Sequence, residues 1–175
     1  MKRQIATAIL ASLTMLQSAA AAEPEACAAP SFSDVGWTDI TVTTAMSSMV
    51  LEALGYKPET QILSVAVTFE SLKKGDTDIF LGNWMPLQDP IQKPLVEAGQ
   101  IEVIRPNLEG ALIGFAVPQS AYDAGLKTYA DIAKFKDQLG GKIYSIEAGS
   151  SANSTILKAI SDNAFDLGAF ELVES

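Results

Sequence analysis

Apolar and polar positions along this chain fall into blocks whose period switches repeatedly between that of a strand and that of a helix. Phe32 to Trp37 reads as a short strand. From Thr38 to Leu54 the spacing becomes helical, with Ile40, Thr44, Ser47, Val50, Leu51 and Leu54 close to one face and Gly55 as a C-terminal stop. Gln61 to Val67 is a β-branched run, and Thr68 to Lys74 predicts a short helix capped by Thr68 and ended by Gly75. Asp78 to Leu81 has a buried-strand pattern. Ile91 to Ala98 predicts a helix broken by Pro94 or starting just after it, and Ile101 to Ile104 predicts another strand.

The register changes at Arg105, Pro106, Asn107, Leu108, Glu109 and Gly110, a polar stretch with proline and glycine that suits a crossing between two lobes. Ala111 to Val117 has the composition of a buried strand, which Pro118 ends. Short helices follow at Ala121 to Ala124 and Tyr129 to Phe135, then a strand at Lys142 to Ile146. A glycine and serine loop, Gly149 to Ser151, leads into a helix over Ala152 to Ile160. Such alternation predicts an α/β protein with mostly parallel sheets.

The N-terminus carries a different signal. Lys2 and Arg3 precede an apolar stretch from Ile5 to Leu16, and Ala19 to Ala22 offer small-residue cleavage sites. Gln17, Glu23, Pro24 and Glu25 close the apolar window short of the roughly 20 residues a spanning helix needs. The expectation is an export signal over residues 1 to 22, cleaved near Ala22, and a periplasmic mature protein. The run before Cys27 is not the apolar, small-residue stretch that a lipidated cysteine usually follows.

Charge and composition then remove whole classes of chemistry. Residues 1 to 22 carry two positive charges and no negative one, so their loss moves the formal net charge from −9 to −11. An acidic surface disfavours nucleic acid and anionic lipid and mildly favours cationic solutes. Histidine is absent, which takes away the commonest general base and transition-metal ligand, and no cofactor or metal set is visible. Ser150, Ser151, Lys142 and Glu147 are the groups an enzyme would have to use, without a nucleophile-elbow spacing to support them. Cys27 is the sole cysteine, either a free thiol or one whose partner lies outside this sequence.

The chain has two tryptophans, and each stands at a turn beside polar groups: Gly36, Trp37, Thr38, Asp39, and Gly82, Asn83, Trp84, Met85, Pro86. An indole face attracts a cation by up to about 2 kcal/mol when desolvated. Two such rings and one carboxylate suit a methylated ammonium, which has no N–H to donate and is selected by faces, dispersion and charge. Ordinary core packing of both rings is the competing reading, as is helix N-capping by Asp39.

These two clusters, with Asp78 to Leu81 before the second, the crossing at Asn107 to Gly110, and Gly140, Gly141, Lys142, Ile143, Tyr144 followed by Ile146, Glu147 and Gly149, resemble the substrate-binding proteins of ABC importers for glycine betaine, choline and related quaternary amines. The similarity is strongest to the periplasmic choline-binding members from rhizobia and runs from about Pro30 to the last residue. It implies the type II periplasmic-binding-protein fold, with two lobes of mostly parallel sheets, residues 23–108 forming part of lobe I and 109–175 part of lobe II. It further implies a monomer that delivers its ligand to an inner-membrane permease and its ATPase, with carnitine, proline betaine or an amino acid as alternative ligands.

Carried over by residue, Trp37 and Trp84 match two rings of the family's aromatic box and Asp39 its acidic group. Where choline-binding members have a tyrosine after the crossing, this chain has Ile113, with Phe115 two residues on as a substitute. Where they often place an asparagine for the polar end of the ligand, Ser150 and Ser151 stand, with Asn153 close by. Family members are nearly twice as long, since their chain returns from the second lobe to complete the first. The resemblance therefore implies a fold incomplete at the C-terminus, with a further aromatic wall and a disulfide partner for Cys27 in the remainder. Alone, the chain is expected to fold poorly and to bind choline weakly or not at all, as a non-functional fragment would.

Overall fold

A computed structural model describes residues 24–175, so the export signal over residues 1 to 22 lies outside the described residues. Every strand pair in it is parallel. Strands β1 (Ser31–Asp34), β2 (Glu59–Ile62) and β3 (Ile79–Phe80) form one sheet in the order β2-β1-β3, with Ser31 opposite Glu59 and Ser33 opposite Phe80. Strands β4 (Lys142–Tyr144) and β5 (Glu171–Val173) form a second sheet, with Ile143 opposite Leu172. Parallel neighbours require a crossover connection, which helices supply here. Helix α1 (Thr38–Ala53) joins β1 to β2, α2 (Val65–Lys74) joins β2 to β3, and α3 (Asp89–Glu97) follows β3. A short helix, α4 (Gln119–Asp123), a 3-10 segment (Tyr129–Phe135), α5 (Ser151–Ser161) and a further 3-10 segment (Ala164–Ala169) surround the second sheet.

Burial explains these elements. Phe32 of β1, Ile40 of α1, and Val65 and Phe69 of α2 are buried, and the Phe69 ring meets Phe80 edge-on at 5.9 Å. The hydroxyls of Ser33 and Thr68 are buried against each other at 2.6 Å, so neither polar group is orphaned. Around the second sheet Leu126, Ile132, Ile143, Leu167 and Phe170 form one core cluster, with Phe135, Leu139, Ile156 and Leu172 packed against it. Gly55 and Gly75 end α1 and α2 with φ of +96° and +76°, the left-handed turn that favours glycine.

Several expectations are corrected. Helix α2 starts three residues before Thr68: Ser64 is its cap, accepting the Val67 N–H at 3.4 Å, and Thr68 lies inside, turned to Ser33. Helix α3 runs through Pro94, which gives up one N–H while its own carbonyl still receives Ala98 N–H at 3.1 Å. On α1 only Ile40 and Thr44 are buried; Val50 and Leu54 of the expected core face are exposed, with Val42, Met46 and Met49 along the same stripe. The largest difference lies at Ile101 to Ile104 and Ala111 to Val117. Neither forms a strand, Leu112 is 94% exposed, and no backbone-to-backbone hydrogen bond is made by residues 101–117 among the described residues. An apolar run has strand composition for a buried sheet position, and without a neighbouring strand its ladder cannot form.

A carboxylate fastens the first sheet at its entry. Asp78 Oδ2 accepts both the Ser31 N–H (2.8 Å) and the Ser31 hydroxyl (2.7 Å), and these bonds hold its pKa below the ordinary carboxylate value, the hydroxyl bond contributing most. A depressed folded-state pKa contributes stability above the unfolded value, about 3.9, which is lost as pH falls through the folded value. Asp78→Asn is therefore expected to melt below the parent chain at neutral pH, and the two midpoints should converge as pH falls below the unfolded value and through the depressed folded one. Thermal melts across that range check it; a constant gap would contradict the assignment.

Candidate functional site

The two tryptophans leave the first sheet at matched points. Ser33 of β1 and Phe80 of β3 are register partners, and Trp37 and Trp84 each lie four residues beyond that pair. Both chains exit at the C-terminal ends of adjacent parallel strands, which lie about 4.8 Å apart, and this is the edge where open α/β sheets form their ligand crevices. Contact between the two exits is visible at Gly82: a side chain there would meet the Phe80 ring at 2.8 Å and Ile40 of α1 at 3.0 Å. Glycine is required for the second tryptophan's turn to lie this close to the first turn of α1.

Each turn is locked locally. Asp34, buried at the end of β1, accepts the Gly36 N–H at 2.8 Å, and Gly36 takes φ +80° to complete that turn. Trp37 is then the N-terminal cap residue of α1, in extended conformation, its carbonyl receiving the Thr41 N–H at 2.8 Å. On the other turn the buried Gln88 donates its amide to the Gly82 carbonyl (3.2 Å) and its backbone N–H to the Trp84 carbonyl (3.0 Å), while Asn107 donates to the Leu81 carbonyl (2.9 Å). Both indoles are half-buried, and no ring contact joins them among the described residues.

Asp39 is not the cap. It occupies the first turn of α1, exposed, and its carboxylate has no hydrogen bond or ion pair among the described residues. The first turn, with its unpaired N–H groups, favours a negative charge there.

The loop after β4 brings a distant part of the chain to the first tryptophan. The Trp37 Nε1–H donates to Glu147 Oε1 at 3.1 Å across 110 residues of sequence. Asn153, 1% exposed, holds that loop in place. Its amide donates to the carbonyls of Ile146 (3.0 Å) and Glu147 (2.9 Å) and to Glu174 Oε1 (2.8 Å), while its Oδ1 accepts the Ser145 hydroxyl at 2.6 Å. Ser150 is buried as the N-cap of α5, accepting Asn153 N–H at 3.2 Å, so its oxygen serves the helix while its proton stays free to donate. Ser151 is half-buried at the first position of α5.

The structure thus joins Trp37 to the loop that leads to Ser150, and brings Trp84 out of the strand next to the one that leads to Trp37. It does not do the same for Ile113. That residue is 52% exposed in the irregular stretch, and no hydrogen bond or ring contact ties its segment to either indole among the described residues. Phe115 is engaged elsewhere, edge-on to Tyr129 at 5.4 Å, with Tyr129 in turn 5.9 Å from Phe165. Of the groups an enzyme would need, Glu147 is bonded to Trp37, Ser150 caps a helix, and Lys142 is exposed on β4. Cys27 is free and exposed. Among the described residues no helix is long and apolar enough to cross a membrane, and no three His, Cys, Asp or Glu side chains gather as a metal site.

Residues 31–175 match the substrate-binding domain of ABC-type glycine betaine transport systems. A solved ABC-transporter choline-binding protein in complex with choline superposes with a TM-score of 0.80 at 45% identity over 87% of this chain and 53% of its own. An ABC-transporter choline-binding protein in an unliganded semi-closed conformation gives a TM-score of 0.79 at 48% identity over 86% of this chain and 52% of its own. A protein of Chromohalobacter salexigens known as Uncharacterized protein ORF1 is 48% identical over 127 residues, 73% of this chain and 82% of that one. The chain spans about half the length of the two solved choline-binding proteins.

Proposed function

The chain belongs to the family of substrate-binding domains of ABC-type glycine betaine transport systems, and from that premise we propose that it serves as an extracytoplasmic receptor for choline or a closely related quaternary amine. The family is one of transport proteins. The matched exit of Trp37 and Trp84 from adjacent strands carries the reading, with the unpartnered Asp39 carboxylate in the first turn of the helix that Trp37 caps. An ammonium fully alkylated on nitrogen has no N–H for a hydrogen-bonding site, whereas two half-buried indole faces and a free carboxylate offer it the attraction it can accept. Ser150 contributes a hydroxyl proton to the polar end of the ligand, and Ile113 contributes dispersion from the segment after the crossing.

In this proposal residues 1 to 22 direct export to the periplasm, and residues 23–108 and 109–175 contribute to two lobes that close on the ligand. The closed form is then presented to a membrane permease and its ATPase. A receptor of this kind returns its ligand unchanged, so it is not an enzyme.

The two tryptophans are the chain's only ones, and both belong to the site, so intrinsic fluorescence reports on it directly. Two rings at up to about 2 kcal/mol each set a dissociation constant for choline on the order of a millimolar for this chain. Choline is expected to change the emission saturably in that range, while its uncharged isostere 3,3-dimethylbutan-1-ol, equal in shape, binds about tenfold more weakly or worse. Equal binding of the two would remove the cation from the argument and overturn the reading.

A further inference from the structure

Glu147 has no role in the box described so far, yet it makes the one hydrogen bond by which a side chain of the second sheet's loops holds an indole of the first among the described residues. We propose that Glu147 is a positioning and charge-selecting residue for the ligand site. Its carboxylate fixes the Trp37 ring, and its negative charge favours ligands that are purely cationic over those that also carry a carboxylate. The proposal rests on the receptor reading above and adds to it which quaternary amines the site takes.

Three observations carry it. First, the bond is directional: Nε1–H is the sole donor of an indole, and a 3.1 Å contact to a carboxylate oxygen fixes the ring plane as well as its location. Second, Glu147 is itself held. Its carbonyl accepts Asn153 Nδ2–H at 2.9 Å and Ser150 N–H at 3.3 Å, so the carboxylate is presented from a braced loop rather than from a free one. Third, the charge is uncompensated. The ion pairs among the described residues are Lys73–Glu70, Lys93–Glu97, Lys134–Asp131 and Lys158–Asp162, and none reaches Asp39, Glu147 or Glu174. The Glu147 carboxylate on the ring edge thus has no cation paired to it among the described residues, while Glu174 shares Asn153 with its loop and Asp39 lies two residues from Trp37 in sequence.

A cation over an indole face sits within about 6 Å of the ring centre, and hence near a carboxylate bonded to the ring edge. At that range the attraction survives physiological salt, because it lies inside the screening length of about 8 Å. Choline carries only the cation. Glycine betaine carries the cation and a carboxylate, so its second charge is repelled by the same groups that attract the first. Bonding the N–H to an anion also feeds electron density into the ring, which strengthens its face for a cation.

Two variants separate charge from geometry. Glu147→Gln is nearly isosteric and keeps an oxygen for the indole N–H while losing the charge. It is expected to lower the ratio of choline to glycine betaine affinity about fivefold, an effect that shrinks as salt is raised. Glu147→Ala loses the acceptor too. In a Trp84→Phe background, where Trp37 is the single tryptophan and can be excited selectively over tyrosine, it is expected to shift Trp37 emission to the red as the ring is released into water, while Glu147→Gln leaves the emission near the parent's. A cooperative melt for each variant confirms that the comparison is made on folded chains. An unchanged affinity ratio in Glu147→Gln would overturn the charge selection, and an unchanged Trp37 emission in Glu147→Ala would overturn the positioning role. The emission readout needs no ligand, so it decides the role of Glu147 even if choline and its uncharged isostere prove equal and the receptor reading falls.

Discussion

Trp37→Ala is expected to weaken choline binding by about tenfold to a hundredfold, the largest functional effect of any single substitution in the site. The ring supplies a cation-binding face worth up to about 2 kcal/mol, and it is also the anchor that Glu147 grasps from the loop after β4. Alanine removes both the face and the anchor. Trp84→Ala removes a face but no bond to that loop, so a loss near tenfold is expected there. Trp37→Phe divides the first effect: a weaker face is kept, the N–H donor is lost, and the affinity should fall between parent and alanine. Fluorescence of Trp84 reports binding in the Trp37 variants, and calorimetry confirms it. If Trp37→Phe and Trp37→Ala bind choline as the parent does, the indole face has no part in recognition.

The parts of this fold that were legible in the sequence are those fixed by local rules. Gly55 and Gly75 ended helices where glycine's left-handed freedom demanded it, and the period of apolar residues placed α1 and the parallel α/β order. The error at Thr68 was also local: two residues of cap chemistry lay four positions apart, and Ser64 precedes a better first turn while Thr68 is needed inside to satisfy Ser33. What composition could not supply was the partner of each apolar face. Ala111 to Val117 reads as a core strand because its side chains are apolar, but a strand is made by its neighbour, and none lies beside it. The same holds for Val42, Met46, Met49, Val50 and Leu54 on α1.

In the candidate site, the turn positions of the two tryptophans and the place of Asp39 near the start of a helix were legible, because residue type and local spacing coincide there. Register added what spacing alone lacked: the Ser33–Phe80 pairing sets both indoles at the same distance past the sheet. Glu147 and Asn153 were much less visible. One acts across 110 residues, and the other looks like an ordinary polar residue in the first turn of a helix. In the sequence Asn153 stood out only as an amide close to Ser150 and Ser151; that its side chain turns back to hold its own loop is a finding of the structure.

Asn153→Asp should therefore destabilise the chain more than any conservative surface change, by about 2–4 kcal/mol, although it alters almost no volume. The native amide gives its N–H groups to two backbone carbonyls and the Glu174 carboxylate, at a position 1% exposed. Aspartate keeps the oxygen that receives the Ser145 hydroxyl but has no N–H, so the carbonyls of Ile146 and Glu147 lose their donors. Leaving a buried acceptor unpaired costs about 1–3 kcal/mol, and a second carboxylate placed at 153, a position 1% exposed, loses its hydration and meets the charge of Glu174. Asn153→Ala also removes the donors, but without the new charge, so it should be destabilised less than Asn153→Asp despite the cavity it leaves. Denaturant unfolding of the three chains gives the order directly. If aspartate proves milder than alanine, packing rather than hydrogen bonding holds the loop, and the brace on Glu147 and Trp37 must come from elsewhere.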